Sequence, residues 1–132
     1  MSDTQAEIEA LFQGAARLAA EALAQNGDHD SKVVDRLEPN ELIRALELDL
    51  PTEGRGLDSV LELARKTVHY SVHTGHPRFM NQLFGGFDVA GILGEWITAL
   101  TNSSMYTFEV APVGTVVELA LVERLCRYAG FD

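Results

Sequence analysis

The side chains of this chain that could do chemistry begin with three of its four histidines, His69, His73 and His76. His69 and His73 are four residues apart, a spacing that places both on one helix face and can hold zinc. A zinc-protease helix would carry glutamate directly after its first histidine, whereas Tyr70 stands there. No carboxylate or cysteine lies close by in sequence to complete a ligand set. We therefore predict polar histidines at a helix end and no metal site.

The other candidate groups form no complete catalytic set. Ser103 and Ser104 have neither an adjacent histidine nor a G-x-S-x-G frame, so a serine nucleophile is not predicted. Cys126 has no histidine partner in a suitable frame and is interpreted as a small packed or half-exposed residue. No Gly-Lys-Ser/Thr follows Gly85-Gly86, so these glycines indicate a bend in the backbone rather than a phosphate loop.

The charge and composition of the chain exclude several classes of function. The net charge is −10 with no basic stripe, which argues against nucleic acid and anionic membrane as partners. A single cysteine forms no internal disulfide, which is typical of the reducing cytoplasm. The apolar stretch Val89–Leu100 contains Glu95 and is too short to span a bilayer, and no signal peptide is visible. We expect a soluble, cytoplasmic protein.

Helices are the elements that must position the candidate residues. Apolar residues recur at three-to-four spacing from Ile8 to Leu23, and Asn26-Gly27 is a typical helix end. Asp88 and Pro112 are typical helix starts. No strand is predicted, so the chain should be mostly α-helical. Further helices are predicted over Pro39–Leu46, about Leu57–Val72, a buried Val89–Thr101, and from Pro112 until Gly130 closes the last one.

A long segment, Phe79–Val117, contains only three charged side chains, Asp88, Glu95 and Glu109. A small soluble domain normally covers its outward faces with charge. The segment is therefore predicted to pack against protein surface that this chain does not supply. Alone, the chain should self-associate or exchange elements with a second copy, because the apolar segment lacks its cover.

Three motifs in this region are long and ordered: T-G-H-P-R-F-M-N-Q-L-F-G-G (74–86), G-E-W-I-T (94–98) and M-Y-T-F-E-V-A-P-V (105–113). They resemble the group II pyridoxal-phosphate-dependent amino-acid decarboxylases, in the branch of glutamate decarboxylase and cysteine sulfinate decarboxylase. The resemblance implies the type I aminotransferase-like (PLP-dependent transferase) α/β fold, with this chain as its helical N-terminal segment. Residues 1–56 would be N-terminal helices and connectors. Residues 57–132 would begin the decarboxylase region with helices of the dimer interface and the substrate wall.

The cofactor machinery that the resemblance implies lies downstream of this chain. The family needs a Schiff-base lysine, a carboxylate at the pyridine nitrogen, a stacked ring and a phosphate loop. The two lysines, Lys32 and Lys66, lack the family's His-Lys signature, and the sequence stops at Phe131-Asp132, before the expected Gly-rich loop. We expect no pyridoxal phosphate on this chain alone and no catalytic residue in it. Its partners would be its own catalytic domain and a second subunit of a homodimer.

Four substrate-binding residues follow from the resemblance by position. Gln82 matches the glutamine that faces substrate and cofactor. Phe84 stands where glutamate-specific members tend to have Ser, Ser104 where they tend to have Asn, and Tyr106 where they tend to have Phe. A bulky Phe84 would shorten the pocket and favour cysteine sulfinate or aspartate over glutamate. The alternative is that Phe84 and Tyr106 are only interface core.

Two further hypotheses are open at this point. The chain could be a free-standing helical interaction module without catalysis, which a stop codon after Asp132 would favour. An open reading frame that continues into a Gly-rich loop and a His-Lys motif would favour the decarboxylase. A weaker third reading is a small metal-binding helical protein that uses His69, His73 and His76.

Overall fold

The computed structural model describes residues 3–49 and 51–131, and all regular structure in these ranges is α-helical. The predicted helix positions are confirmed, except that α3 ends two residues early. Ser71 is extended there, with φ −76° and ψ 155°, because the next residues turn toward Val33. The helices are α1 (Asp3–Asn26), α2 (Pro39–Leu46), α3 (Leu57–Tyr70), α4 (Val89–Thr101) and α5 (Pro112–Ala129).

Local signals define the ends of α4 and α5. The Asp88 side chain accepts a hydrogen bond of 2.7 Å from the Gly91 N–H, which satisfies one of the free donors of the first turn of α4. Pro112 stands at the start of α5, where its missing N–H costs nothing. Gly130 ends α5 with φ 79°, a left-handed conformation that side chains disfavour.

The chain divides into two compact units, Met1–Phe87 and Asp88–Asp132. In the first unit, α3 packs against both α1 and α2. In the second unit, α4 and α5 make no helix–helix contact with each other over the described residues. The division predicted from the resemblance, between residues 1–56 and 57–132, stays a prediction about the decarboxylase region.

The described chain has almost no apolar core of its own. Ala111 is the only buried apolar side chain in the described ranges. Helix α4, predicted to be buried, exposes its apolar residues here, with Leu93 59% and Leu100 65% exposed. Val60 of α3 is also exposed. Burial of α4 thus requires protein surface that these residues do not provide.

Gly14 allows the close approach of α1 to α3. It is buried, and a Cβ at this position would collide with the Leu61 side chain of α3. A larger residue in α1 would therefore push the two helices apart or force Leu61 into another rotamer.

We predict that Gly14→Ala destabilises the α1–α3 pair. The crowding against Leu61 costs about 1–3 kcal/mol and the gain in helix propensity is about 1 kcal/mol, so the net loss of stability is at most about 2 kcal/mol. Hydrogen exchange of the α1 and α3 backbone amides should become faster. Leu61→Ala serves as the background control, since there the same Gly14→Ala change should slow exchange or leave it unchanged. An equal loss of protection in both backgrounds would contradict the packing argument.

Candidate substrate-contacting loop

The connector from Gly75 to Phe87 joins α3 to the start of the second unit, and it is here named the substrate loop after the prediction made for Gln82 and Phe84. Its two ends meet, because the Phe87 ring lies against the backbone of Gly75. A Cβ at Gly75 would collide with that ring and would lie 3.2 Å from the Cβ of Asn26 at the end of α1. Only glycine allows this approach. The substrate loop is thus a closed loop whose ends are joined.

The substrate loop begins with a buried histidine. His76 is 2% exposed, and its Nδ1 accepts a hydrogen bond of 3.0 Å from the Arg78 backbone N–H. The His76 carbonyl accepts a second bond, 2.9 Å, from the Phe79 N–H. The prediction of a polar histidine at a helix end is wrong for His76, since α3 ends six residues earlier at Tyr70 and the side chain is buried. The His-Pro step, which forces an extended or turned backbone, was the available signal.

Two long-range hydrogen bonds join the substrate loop and the residues just before it to the α1–α2 connector. The Arg78 Nη2 donates to the Ser31 carbonyl at 2.8 Å. The His73 N–H donates to the Val33 carbonyl at 2.8 Å. These bonds cross more than thirty positions of sequence, so they hold the loop against a segment that local patterns could not identify.

The tip of the substrate loop presents Gln82 and Phe84. Asn81 forms the turn beneath them, since its Oδ1 accepts from the Leu83 N–H at 3.1 Å and its carbonyl accepts from the Phe84 N–H at 3.3 Å. The Phe84 ring packs edge-to-face on Phe79, with centroids 5.4 Å apart and planes at 84°. Phe84 is still 54% exposed, and Gln82 is exposed. An ordered loop therefore offers one amide and one aromatic face.

Ser104 and Tyr106, the other two predicted substrate-binding residues, lie in the α4–α5 connector of the second unit. Both are exposed, Tyr106 to 88%. Between them, the Met105 side chain lies against Gly114 in the first turn of α5, where a Cβ would collide with its sulfur. Met105, itself 54% exposed, thus lies against the start of α5, and its two neighbours are also exposed. The role of all four residues in substrate binding stays a prediction.

Glu109 is the one carboxylate of this connector. A hydrogen bond from its own backbone N–H and one from the Thr107 side chain hold the pKa of the Glu109 carboxyl below its usual value. The carboxylate is therefore ionised at neutral pH. It is suited to fixing the connector and unsuited to donating a proton.

Both lysines of the chain are held in ion pairs. Lys32 Nζ lies 2.7 Å from Asp35 Oδ1, and Lys66 Nζ lies 2.7 Å from Glu47 Oε1. Lys32, and to a lesser degree His69, lowers the pKa of Asp35. A lysine that forms a covalent bond to pyridoxal phosphate must offer a neutral amine. Both lysines have carboxylate partners in the described residues, and the expectation that this chain alone holds no cofactor stays a prediction.

The rings of His69 and His76, two of the three histidines of the metal hypothesis, make different contacts. His69 Nε2 lies 3.1 Å from Asp35 Oδ2, whereas the His76 ring is buried in the substrate loop. Over residues 3–49 and 51–131, no group of three or more His, Cys, Asp or Glu side chains is arranged to hold a metal ion. In the same ranges, no helix is both long and apolar enough to cross a membrane.

A family model that covers most of the chain shows which protein family the chain belongs to. Residues 39–131 match the model of the pyridoxal-dependent decarboxylase conserved domain. The chain therefore belongs to this family, and the resemblance inferred from its motifs is confirmed.

Individual members of the family are similar to the chain over most of its length. The chain is 39% identical to mouse cysteine sulfinic acid decarboxylase over 126 residues and 38% identical to the human one, covering 95% of this chain and 26% of each relative. It is 38% identical to glutamate decarboxylase of Drosophila melanogaster over 105 residues, 80% of this chain and 21% of that protein.

The fold agrees with these relatives. A crystal structure of mouse CSAD matches with a TM-score of 0.83 and 39% identity, covering 89% of this chain and 25% of that chain. The prediction of a helical segment of a PLP-dependent decarboxylase is thus confirmed. The chain spans about a quarter of the length of the relatives it matches.

Proposed function

We propose that this chain is the N-terminal portion of a pyridoxal-phosphate-dependent decarboxylase that acts on a small acidic amino acid in the cytoplasm. Cysteine sulfinate or aspartate is favoured over glutamate. The observation that carries the proposal is the closed substrate loop, which presents Gln82 and Phe84 at its tip in a chain 39% identical to mouse cysteine sulfinic acid decarboxylase. The chain contributes part of the substrate pocket and contacts to a second subunit.

The side chains at the tip have distinct tasks in this proposal. The Gln82 amide donates a hydrogen bond to an acidic group of the substrate without neutralising its charge. The Phe84 ring, supported by Phe79, limits the length of the acidic side chain. Ser104 and Tyr106 contribute hydroxyl groups from the α4–α5 connector. When bound to the full-length protein, pyridoxal phosphate supplies the electron sink for decarboxylation; the chain alone binds no cofactor and is inactive.

The exposed faces of α4 and α5 support the proposed assembly. Apolar side chains cover both helices, including Leu93, Ile97 and Leu100 of α4 and Val113 and Leu121 of α5, and the two helices do not cover each other in the described residues. Contiguous apolar surface of this kind marks a protein interface. We assign it to the second subunit of a homodimer and to the catalytic domain of the same chain.

We predict that Leu100→Glu weakens the dimer of the full-length protein at least tenfold. An unpaired carboxylate buried in an apolar interface is strongly unfavourable. Sedimentation velocity across a concentration series measures the change. Gln25→Glu adds the same charge at an exposed position of α1 and should leave the dimer intact. A Leu100→Glu dimer as tight as the unchanged one would remove α4 from the interface.

Release of CO₂ from cysteine sulfinate by the full-length, pyridoxal-phosphate-loaded protein tests the proposed function. The isolated 1–132 chain, treated in the same way, is the matched control and should release none. A full-length protein without activity on cysteine sulfinate, aspartate and glutamate would contradict the proposal. If the coding sequence ends at Asp132, the alternative of a free-standing interaction module takes its place.

A further inference from the structure

We propose that His76 is a positioning residue for substrate selectivity. Its buried ring holds the turn that fixes Phe79, and Phe79 in turn fixes Phe84 at the place where it limits substrate length. The inference deepens the proposed function and rests on it. It assigns a role to a residue that lies outside the predicted set of substrate contacts.

The hydrogen bonds of His76 define its state. Since Nδ1 accepts from the Arg78 N–H, the proton of the neutral ring is on Nε2. Nε2 is itself buried and has no hydrogen-bond partner among the described residues. A buried polar atom without a partner is costly. Burying the His76 ring therefore costs free energy. Within the described residues, the hydrogen bond that the ring makes is the one that Nδ1 accepts from the Arg78 N–H.

The turn at His76 determines where Phe79 lies. The His76 carbonyl accepts from the Phe79 N–H at 2.9 Å, while the ring accepts from the Arg78 N–H at 3.0 Å. Both bonds fix the backbone immediately before Phe79. The Arg78 side chain adds a third restraint through the Ser31 carbonyl.

Phe79 connects the turn at His76 to the tip of the substrate loop through its contact with Phe84. Its ring meets the Phe84 ring edge-to-face at 5.4 Å. Phe79 is half-buried, whereas Phe84 is 54% exposed, so Phe79 is the supporting member of the pair. Loss of the turn would keep the Phe84 side chain but no longer hold its ring in position. A ring that is not held in position no longer excludes glutamate, the longer of the two acids.

The same substrate loop suggests a conservative variant. Asn81 Oδ1 accepts from the N–H two residues ahead, as His76 Nδ1 does. Asparagine commonly makes this bond to its own backbone. His76→Asn should therefore keep the acceptor, whereas His76→Leu removes it and keeps an apolar side chain of useful size.

The test compares kcat/KM for cysteine sulfinate with kcat/KM for glutamate in the full-length, cofactor-loaded protein. His76→Leu should lower the ratio about tenfold, the effect of a misplaced wall at the end of a side chain. His76→Asn should retain most of it. In a Phe84→Ser background, His76→Leu should leave the ratio unchanged, because both changes act through one ring.

Phe79→Leu removes the supporting ring without touching His76 and should also lower the ratio, which keeps the inference testable if His76→Leu does not fold. Equal losses for both acids, or an unchanged ratio in both variants, would show a merely structural histidine and overturn the inference. Those outcomes leave the proposed function intact, since the unchanged protein still decarboxylates. An unchanged protein inactive on both acids would overturn both.

Discussion

Replacing Phe84 with serine should shift the preference of the full-length protein from cysteine sulfinate toward glutamate. Glutamate places its acidic group one carbon further from the reacting centre, and a single methylene is worth roughly 10- to 200-fold in selectivity. Phe84 offers its ring at the tip of the substrate loop, where the Phe79 ring packs edge-to-face against it. We expect the ratio of the two kcat/KM values to fall by about 10- to 100-fold, mainly through a gain on glutamate.

Leu83→Ser is the matched control for this change. Leu83 is adjacent and apolar, and it is 84% exposed against 54% for Phe84. The same loss of apolar surface there should leave the ratio near that of the unchanged protein. If Leu83→Ser moved the ratio as far as Phe84→Ser, the effect would belong to the interface and not to the length of the pocket.

Gln82→Glu should produce the largest loss of activity among single changes in this chain. The substitution keeps the shape of the side chain but places a carboxylate against an acidic substrate. Like charges in a desolvated contact cost several kcal/mol, which corresponds to a fall in kcat/KM of about 10²- to 10³-fold. Steady-state kinetics with cysteine sulfinate, at constant cofactor loading, measures the fall.

Gln82→Met separates charge from the hydrogen bond. Methionine has a similar length but does not donate, so only a hydrogen bond is lost, worth about tenfold. The order of activity should be glutamine, then methionine, then glutamate. A Gln82→Glu protein that matches the unchanged one would exclude Gln82 from contact with the acidic group.

The helices of this chain could be predicted because their ends are encoded locally. Asp88, Pro112 and Gly130 each satisfy or remove a backbone group within one turn, and all three mark helix ends in the structure. The end of α3 was placed two residues too late, because the chain after Tyr70 is extended and pairs with the distant Val33. No local pattern reveals such a contact.

Burial was less predictable than helicity. Helix α4 has the composition of a buried helix, yet its apolar residues are exposed over the described chain, because the surface they would pack against is not among these residues. His76 shows the opposite error, since this polar residue next to proline is only 2% exposed. The Phe87 ring on Gly75, which closes that loop, also joins positions that no periodicity connects.

The candidate site came from motif resemblance and not from physical reasoning on the residues. Considered alone, Gln82 and Phe84 are a polar and an aromatic residue in a glycine-bearing loop, with no acid, base or nucleophile beside them. The structure adds that they share an ordered turn with Asn81 and Phe79. It gives a physical reason for these two side chains to be presented together.

The most direct test of the central claim is a crystal structure of the full-length, cofactor-loaded protein with the decarboxylated product of cysteine sulfinate bound. We predict that the Gln82 amide lies at hydrogen-bond distance, about 3 Å, from the product's acidic group. The Phe84 ring should lie within about 4 Å of its carbon chain. A product bound without contact to either side chain would contradict the claim that this chain forms part of the substrate pocket.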